Sequence, residues 1–71
     1  MTGLLEHDFV AGRQTGGQYR IFQFISQQLV PVSGHDGLYD EIEVRRRFDL
    51  LRPVGDCWIK DRGELLRLIE A

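Results

Sequence analysis

Residues 40–51 read DEIEVRRRFDLL, and whether this stretch is strand or helix decides the fold. Its Glu, Arg and Leu content favours helix, and its acids precede its bases, as a helix dipole prefers. The periodicity disagrees. Ile42, Val44, Phe48 and Leu50 all occupy even positions, so as a strand they share one face, with Glu41, Glu43, Arg45, Arg47 and Asp49 on the other. Wound as a helix, Leu38 and Ile42 fall nearly opposite Val44, Phe48 and Leu51. In a small domain the burial of one face outweighs intrinsic preference, so the pattern predicts a strand. Arg46 then stands in the apolar row, as a stem that packs with its head at the sheet edge or as the polar key of an interface.

Downstream, Pro53-Val54-Gly55-Asp56 has turn chemistry, and Cys57-Trp58-Ile59 reads as a short returning strand. Residues 41–59 together then form a hairpin. Asp61-Arg62-Gly63-Glu64 has the spacing of a helix capping box. Beyond it, Leu65, Leu66, Leu68 and Ile69 cluster on one face of a short C-terminal helix.

Upstream, Tyr19–Ile25 is rich in aromatic and β-branched residues and reads as a strand, paired across Gly16-Gly17 with residues near Phe9–Gly12. Tyr19, Ile21 and Ile25 share one face and Phe22 and Phe24 the other, so this strand is apolar on both sides. Gln27–Val32 contains Pro31, which removes a backbone donor and suits an edge strand or extended loop. Ser33–Gly37 is a turn, and residues 1–10 fit helix or strand equally. The expected fold is α+β in one domain over residues 1–71: a small twisted antiparallel sheet, open or barrel-like, with a short C-terminal helix.

Composition narrows the function. A chain of 71 residues buries a limited core and often needs a staple. A lone cysteine, Cys57, excludes an internal disulfide, and Cys57, His7 and His35 lack metal-ligand spacing. Self-association is the staple that remains. The net charge of −2 gives no whole-molecule attraction for nucleic acid or an acidic membrane. Charge is uneven: residues 1–35 carry two acids and two bases, residues 36–71 nine and seven. No apolar run is long enough to span a bilayer, and no basic-then-apolar leader is visible. With one thiol, that predicts a cytoplasmic protein.

No catalytic constellation emerges. Ser33, His35 and Asp36 crowd a glycine-rich turn, whereas a triad is assembled from separate elements. Gly16-Gly17-Gln18 resembles the tripeptide with which class I peptide-release factors hydrolyse peptidyl-tRNA. The rest of that family's pattern is absent, since Thr15 precedes and Tyr19-Arg20 follows, and the pair reads as a hairpin turn. No enzyme activity, cofactor, metal or small-molecule ligand is expected.

Two binding surfaces stand out. Tyr19, Phe22, Phe24 and Trp58 form a candidate apolar interface, because two apolar faces on one strand exceed what one short helix can cover. Arg20, Arg45, Arg46, Arg47 and Arg52 are candidate contacts for a partner or for nucleic acid. The reading is a non-enzymatic protein-binding module, a small regulator or inhibitor that binds a partner protein or homodimerises. The alternative is a nucleic-acid-binding domain with an arginine-rich face.

Overall fold

A computed structural model describes residues 3–68, and in it Glu41–Leu51 is a helix, α1. The local chemistry that favours helix prevails over the alternation. The Asp40 side chain caps the first turn by accepting from the Glu43 N–H at 2.8 Å, satisfying one of the orphan donors of a helix start. Glu41–Arg45 and Glu43–Arg47 then pair at i,i+4 at 3.2 and 3.0 Å, and Glu43–Arg46 at i,i+3 at 3.1 Å. Each such pair adds about 0.3–0.5 kcal/mol to a helix. Val44, Phe48 and Leu51 form the buried stripe. Ile42 and Leu50, which create the alternating pattern, are 75% and 72% exposed. The strand expected here is therefore corrected to a helix, and with it the hairpin over residues 41–59. Arg46 is not in an apolar row but on the exposed side of α1, beside Glu43.

Five strands accompany α1: β1 (Phe9–Arg13), β2 (Tyr19–Ile25), β3 (Gln28–Pro31), β4 (Cys57–Asp61) and β5 (Glu64–Leu68). They form one sheet in the order β3-β2-β1-β4-β5. β1, β2 and β3 make an antiparallel meander. From β3 the chain crosses through α1, past β2 and β1, and lays β4 parallel to β1. β5 then returns antiparallel to β4. The sheet is thus mixed rather than antiparallel, and open rather than closed into a barrel. A parallel neighbour requires a crossover, and α1 supplies it.

The expected C-terminal helix is also corrected. Asp61 and Glu64 are not a capping box but the register pair closing the β4–β5 hairpin. Between them Arg62 and Gly63 take φ of 53° and 85°, the left-handed pair whose twist suits a two-residue hairpin turn. Ser26 and Gln27 do the same between β2 and β3, with φ of 52° and 64°. Leu65, Leu66 and Leu68 consequently alternate across β5 instead of sharing a helical face. Ile69 lies outside the described residues.

The meander follows the sequence expectation. Phe9–Arg13 pairs with Tyr19–Ile25 across the glycine turn, and the Pro31 strand is an edge strand. The core lies between α1 and the sheet: Val44, Phe48 and Leu51 pack on Phe9, Ala11, Tyr19, Ile21, Cys57 and Ile59. Full burial of each large apolar side chain contributes about 1.5–3 kcal/mol. Among the described residues, no helix is long and apolar enough to cross a membrane.

Candidate partner-binding groove

Strand alternation divides each apolar strand between two faces. Tyr19 and Ile21 of β2 face α1 within the core. Phe22 and Phe24 face the other way, where among the described residues no helix covers them. Register carries this second face across the sheet. One row runs Pro31, Phe22, Val10, Trp58, Arg67, and the next runs Arg20, Gly12, Lys60, Leu65. Leu29 stands opposite Phe24.

The sheet curls about this face. Leu29 of β3 and Leu65 of β5, on opposite edge strands, line the same hollow of about 470 Å³, together with Leu4, Val10, Phe24 and Lys60. A second hollow of about 310 Å³ adjoins it, with Phe22, Gly12 and Arg62 in its wall. Val10, Leu29, Lys60 and Gly63 belong to both, so the two form one groove. Its floor is Val10, which is 1% exposed, and its outer lip is Leu29, which is 43% exposed. Gly12 lines the groove too, and a Cβ there would meet the Phe22 ring at 3.8 Å and the Gln14 amide at 3.9 Å.

Asp8 holds the segment before β1 to β4. This carboxylate is buried at 3% exposure. It accepts from the Leu5 N–H at 3.0 Å, the Asp56 N–H at 3.1 Å and the Trp58 Nε1–H at 3.1 Å. A buried charge is tolerated when its lone pairs are filled in this way. The His7 N–H donates to the Phe24 carbonyl at 2.7 Å, so the segment before β1 is strapped to β2. Gly3 packs beside the Trp58 ring, where a Cβ would stand 3.4 Å from Cη2.

The structure separates the aromatics expected at the interface. Phe22 and Phe24 line the groove. Tyr19 is buried at 5% exposure on the α1 side. Trp58 shares the groove face by register but is fixed by Asp8. Alternation along Leu29–Pro31, Trp58–Lys60 and Leu65–Arg67 could have found Leu29, Lys60 and Leu65, had β5 been read as a strand.

The arginines are dispersed as well. Arg45, Arg46, Arg47 and Arg52 lie on or just after α1, each within 4.0 Å of a carboxylate. Arg47 also stacks 4.0 Å over the Tyr39 ring and donates to the Gly34 carbonyl and to His35 Nδ1. It therefore ties the loop before α1 to the helix. Arg20, on β2, donates to the Asp36 carbonyl at 3.4 Å. Gly16-Gly17-Gln18 forms the exposed β1–β2 turn. Cys57 is 1% exposed, and burial pushes its thiol up to about 11, against the pull of the Arg52 charge. A thiol held protonated in this way is a weak nucleophile. Among the described residues, no three of His, Cys, Asp and Glu stand together as a metal-binding group.

Comparison of the chain with family models, curated proteins and solved structures gives no match.

Proposed function

We propose that this chain is a non-enzymatic protein-binding module, a small regulator or inhibitor, and that its partner docks in the groove on the open face of the sheet. The observation that carries this reading is the groove itself. Val10, Phe22, Phe24, Leu29 and Leu65 form a contiguous apolar concavity that α1 does not cover. Isolated exposed apolar residues are ordinary on a protein surface, but a continuous concave patch marks an interaction site. Ile42 and Leu50 are more exposed, yet they stand singly on α1 with Arg46 between them.

The nucleic-acid alternative loses support from the pairing of the α1 arginines. Contacts to phosphate require cations free to exchange one anion for another. Glu41 and Glu43 already occupy Arg45, Arg46 and Arg47 at 3.0–3.2 Å. Arg52 lies 3.8 Å from Asp49 with its Nε and Nη1 buried and without a hydrogen-bond partner among the described residues, turned away from a ligand in solvent.

The test is comparative capture from a lysate of the source organism, quantified by mass spectrometry. The baits are the unmodified chain, Leu29→Gln and the double variant Arg45→Ala/Arg47→Ala. The expected result is a partner retained by the unmodified chain and the arginine variant and lost with Leu29→Gln. A second copy as partner would instead register as a dimer in light scattering, broken by Leu29→Gln. Capture indifferent to Leu29→Gln contradicts the reading, and so does salt-sensitive nucleic acid lost only with the arginine variant.

A further inference from the structure

The groove carries charge as well as apolar surface: Arg13 in its wall pairs with Asp61, and two further cations have no carboxylate partner among the described residues. Of the described cations, Arg13, Arg45, Arg46, Arg47, Arg52 and Arg67 each lie within 4.0 Å of a carboxylate. Among the described residues Arg20, Lys60 and Arg62 do not, and Arg20 is engaged by the Asp36 carbonyl. The two that remain, Lys60 and Arg62, line the same groove. On a chain with net charge −2, acids are available to pair every base, so two unpaired cations beside one apolar hollow distinguish that hollow from the rest of the surface.

Resting on the docking role of the groove, we infer that its occupant is a segment of a partner protein that carries a bulky apolar side chain beside a carboxylate. The apolar side chain sits on Phe24, Leu29 and Leu65. The carboxylate meets Lys60 and Arg62. Docking an apolar group over the hollow strips water from Lys60, and an ammonium desolvated without an anion is costly. A carboxylate on the ligand removes that cost and rejects ligands that lack it. The hollow of about 470 Å³ falls in the size range of small-molecule pockets.

A second copy of this chain fits less well, because face-to-face docking brings two sets of Lys60 and Arg62 into one interface. An oligonucleotide also fits less well. Two free cations neutralise few phosphates, and Phe22 and Phe24 line a hollow walled by Leu4, Leu29 and Leu65 rather than lying flat for base stacking.

The experiment is selection of a displayed random-peptide library on the immobilised full chain, followed by fluorescence anisotropy with the enriched peptide. Lys60 and Arg62 are exposed, so Lys60→Glu and Arg62→Glu should keep the fold, which thermal melting verifies. The expected result is enrichment of an aromatic or leucine residue next to Asp or Glu. Changing that acid to lysine then weakens binding by about tenfold or more. Lys60→Glu weakens the original peptide by a similar factor and restores the lysine version. Binding lost with Leu29→Gln but indifferent to Lys60→Glu overturns the charge inference and leaves the groove as the docking site. No enrichment, or binding indifferent to Leu29→Gln, overturns both. Labelled oligouridine that binds at low salt and is lost with Lys60→Glu also overturns the inference and assigns the face to nucleic acid.

Discussion

The Asp8 carboxylate accepts the Trp58 indole N–H at 3.1 Å, joining residues 50 positions apart. It ties the segment before β1 to the parallel strand β4, at the seam of the sheet where the chain arrives by its long crossover. Asp8→Ala leaves the Leu5, Asp56 and Trp58 N–H groups without their acceptor. A donor stranded away from water costs about 1–3 kcal/mol, and these three bonds are partly buried, so water reaching the Leu5 and Asp56 N–H groups lowers their share. Relief of the buried charge offsets part of that sum, giving a net loss on the order of 3 kcal/mol. Thermal melting reads the loss. Trp58, the sole tryptophan, should report it as a red-shifted emission. An unchanged melting temperature would remove Asp8 from this role.

Gly55 makes a similar demand at the same seam. A Cβ there would stand 2.4 Å from the His7 carbonyl oxygen and 2.9 Å from its carbon. Both are backbone atoms, so the segment before β1 must move. Gly55→Ala should cost about 1–3 kcal/mol, read from denaturant midpoints, whereas Gly16→Ala, with no atom within 4 Å, meets no such clash and bears only the strain of its positive φ.

Two substitutions distinguish the helix over residues 41–51 from the strand that its alternation suggests. On a strand, Ile42 and Phe48 share the buried face. On α1, Phe48 is fully buried while Ile42 is 75% exposed. Phe48→Ala should therefore cost about 3–5 kcal/mol, and Ile42→Ala should change stability by less than about 0.5 kcal/mol. Comparable losses at both positions would restore the strand.

Cys57 gives the fold a pH dependence of defined sign. Its thiol is pushed up from 9.0 to about 11 by burial. Above pH 9 the unfolded chain releases the thiol proton while the folded chain keeps it. The contribution is fully present below pH 9 and is lost as pH rises towards 11. The loss reaches about 1.4 kcal/mol per pH unit at its steepest. Denaturant titrations of the unmodified chain and Cys57→Ala should converge over this window. Parallel curves would contradict the burial of the thiol.

Much of the meander was legible in the sequence because its signals agree. Tyr19–Ile25 has strand composition, a glycine turn before it and a proline-bearing neighbour after it. Two apolar faces on β2 followed from Phe22 and Phe24 alternating with Tyr19 and Ile21. Two elements were not legible, for opposite reasons. In residues 41–51, Ile42 and Leu50 imitate a buried row although both face solvent, and the cap at Asp40 and the Glu–Arg spacing were the better guides. In residues 61–68, Asp61 and Glu64 imitate a capping box although Arg62-Gly63 is a hairpin turn. A helix there also removes one wall of the groove, since Leu65 joins Phe24, Leu29 and Lys60 only when β5 folds back along β4.

The most direct test of the docking role is an amide chemical-shift titration of the labelled chain with its captured partner or with the enriched peptide. The shifts should concentrate at Val10, Phe22, Phe24, Leu29, Lys60 and Leu65 and leave Glu41–Leu51 largely unmoved. Shifts centred on Arg45, Arg46 and Arg47 with the groove residues unmoved would contradict it.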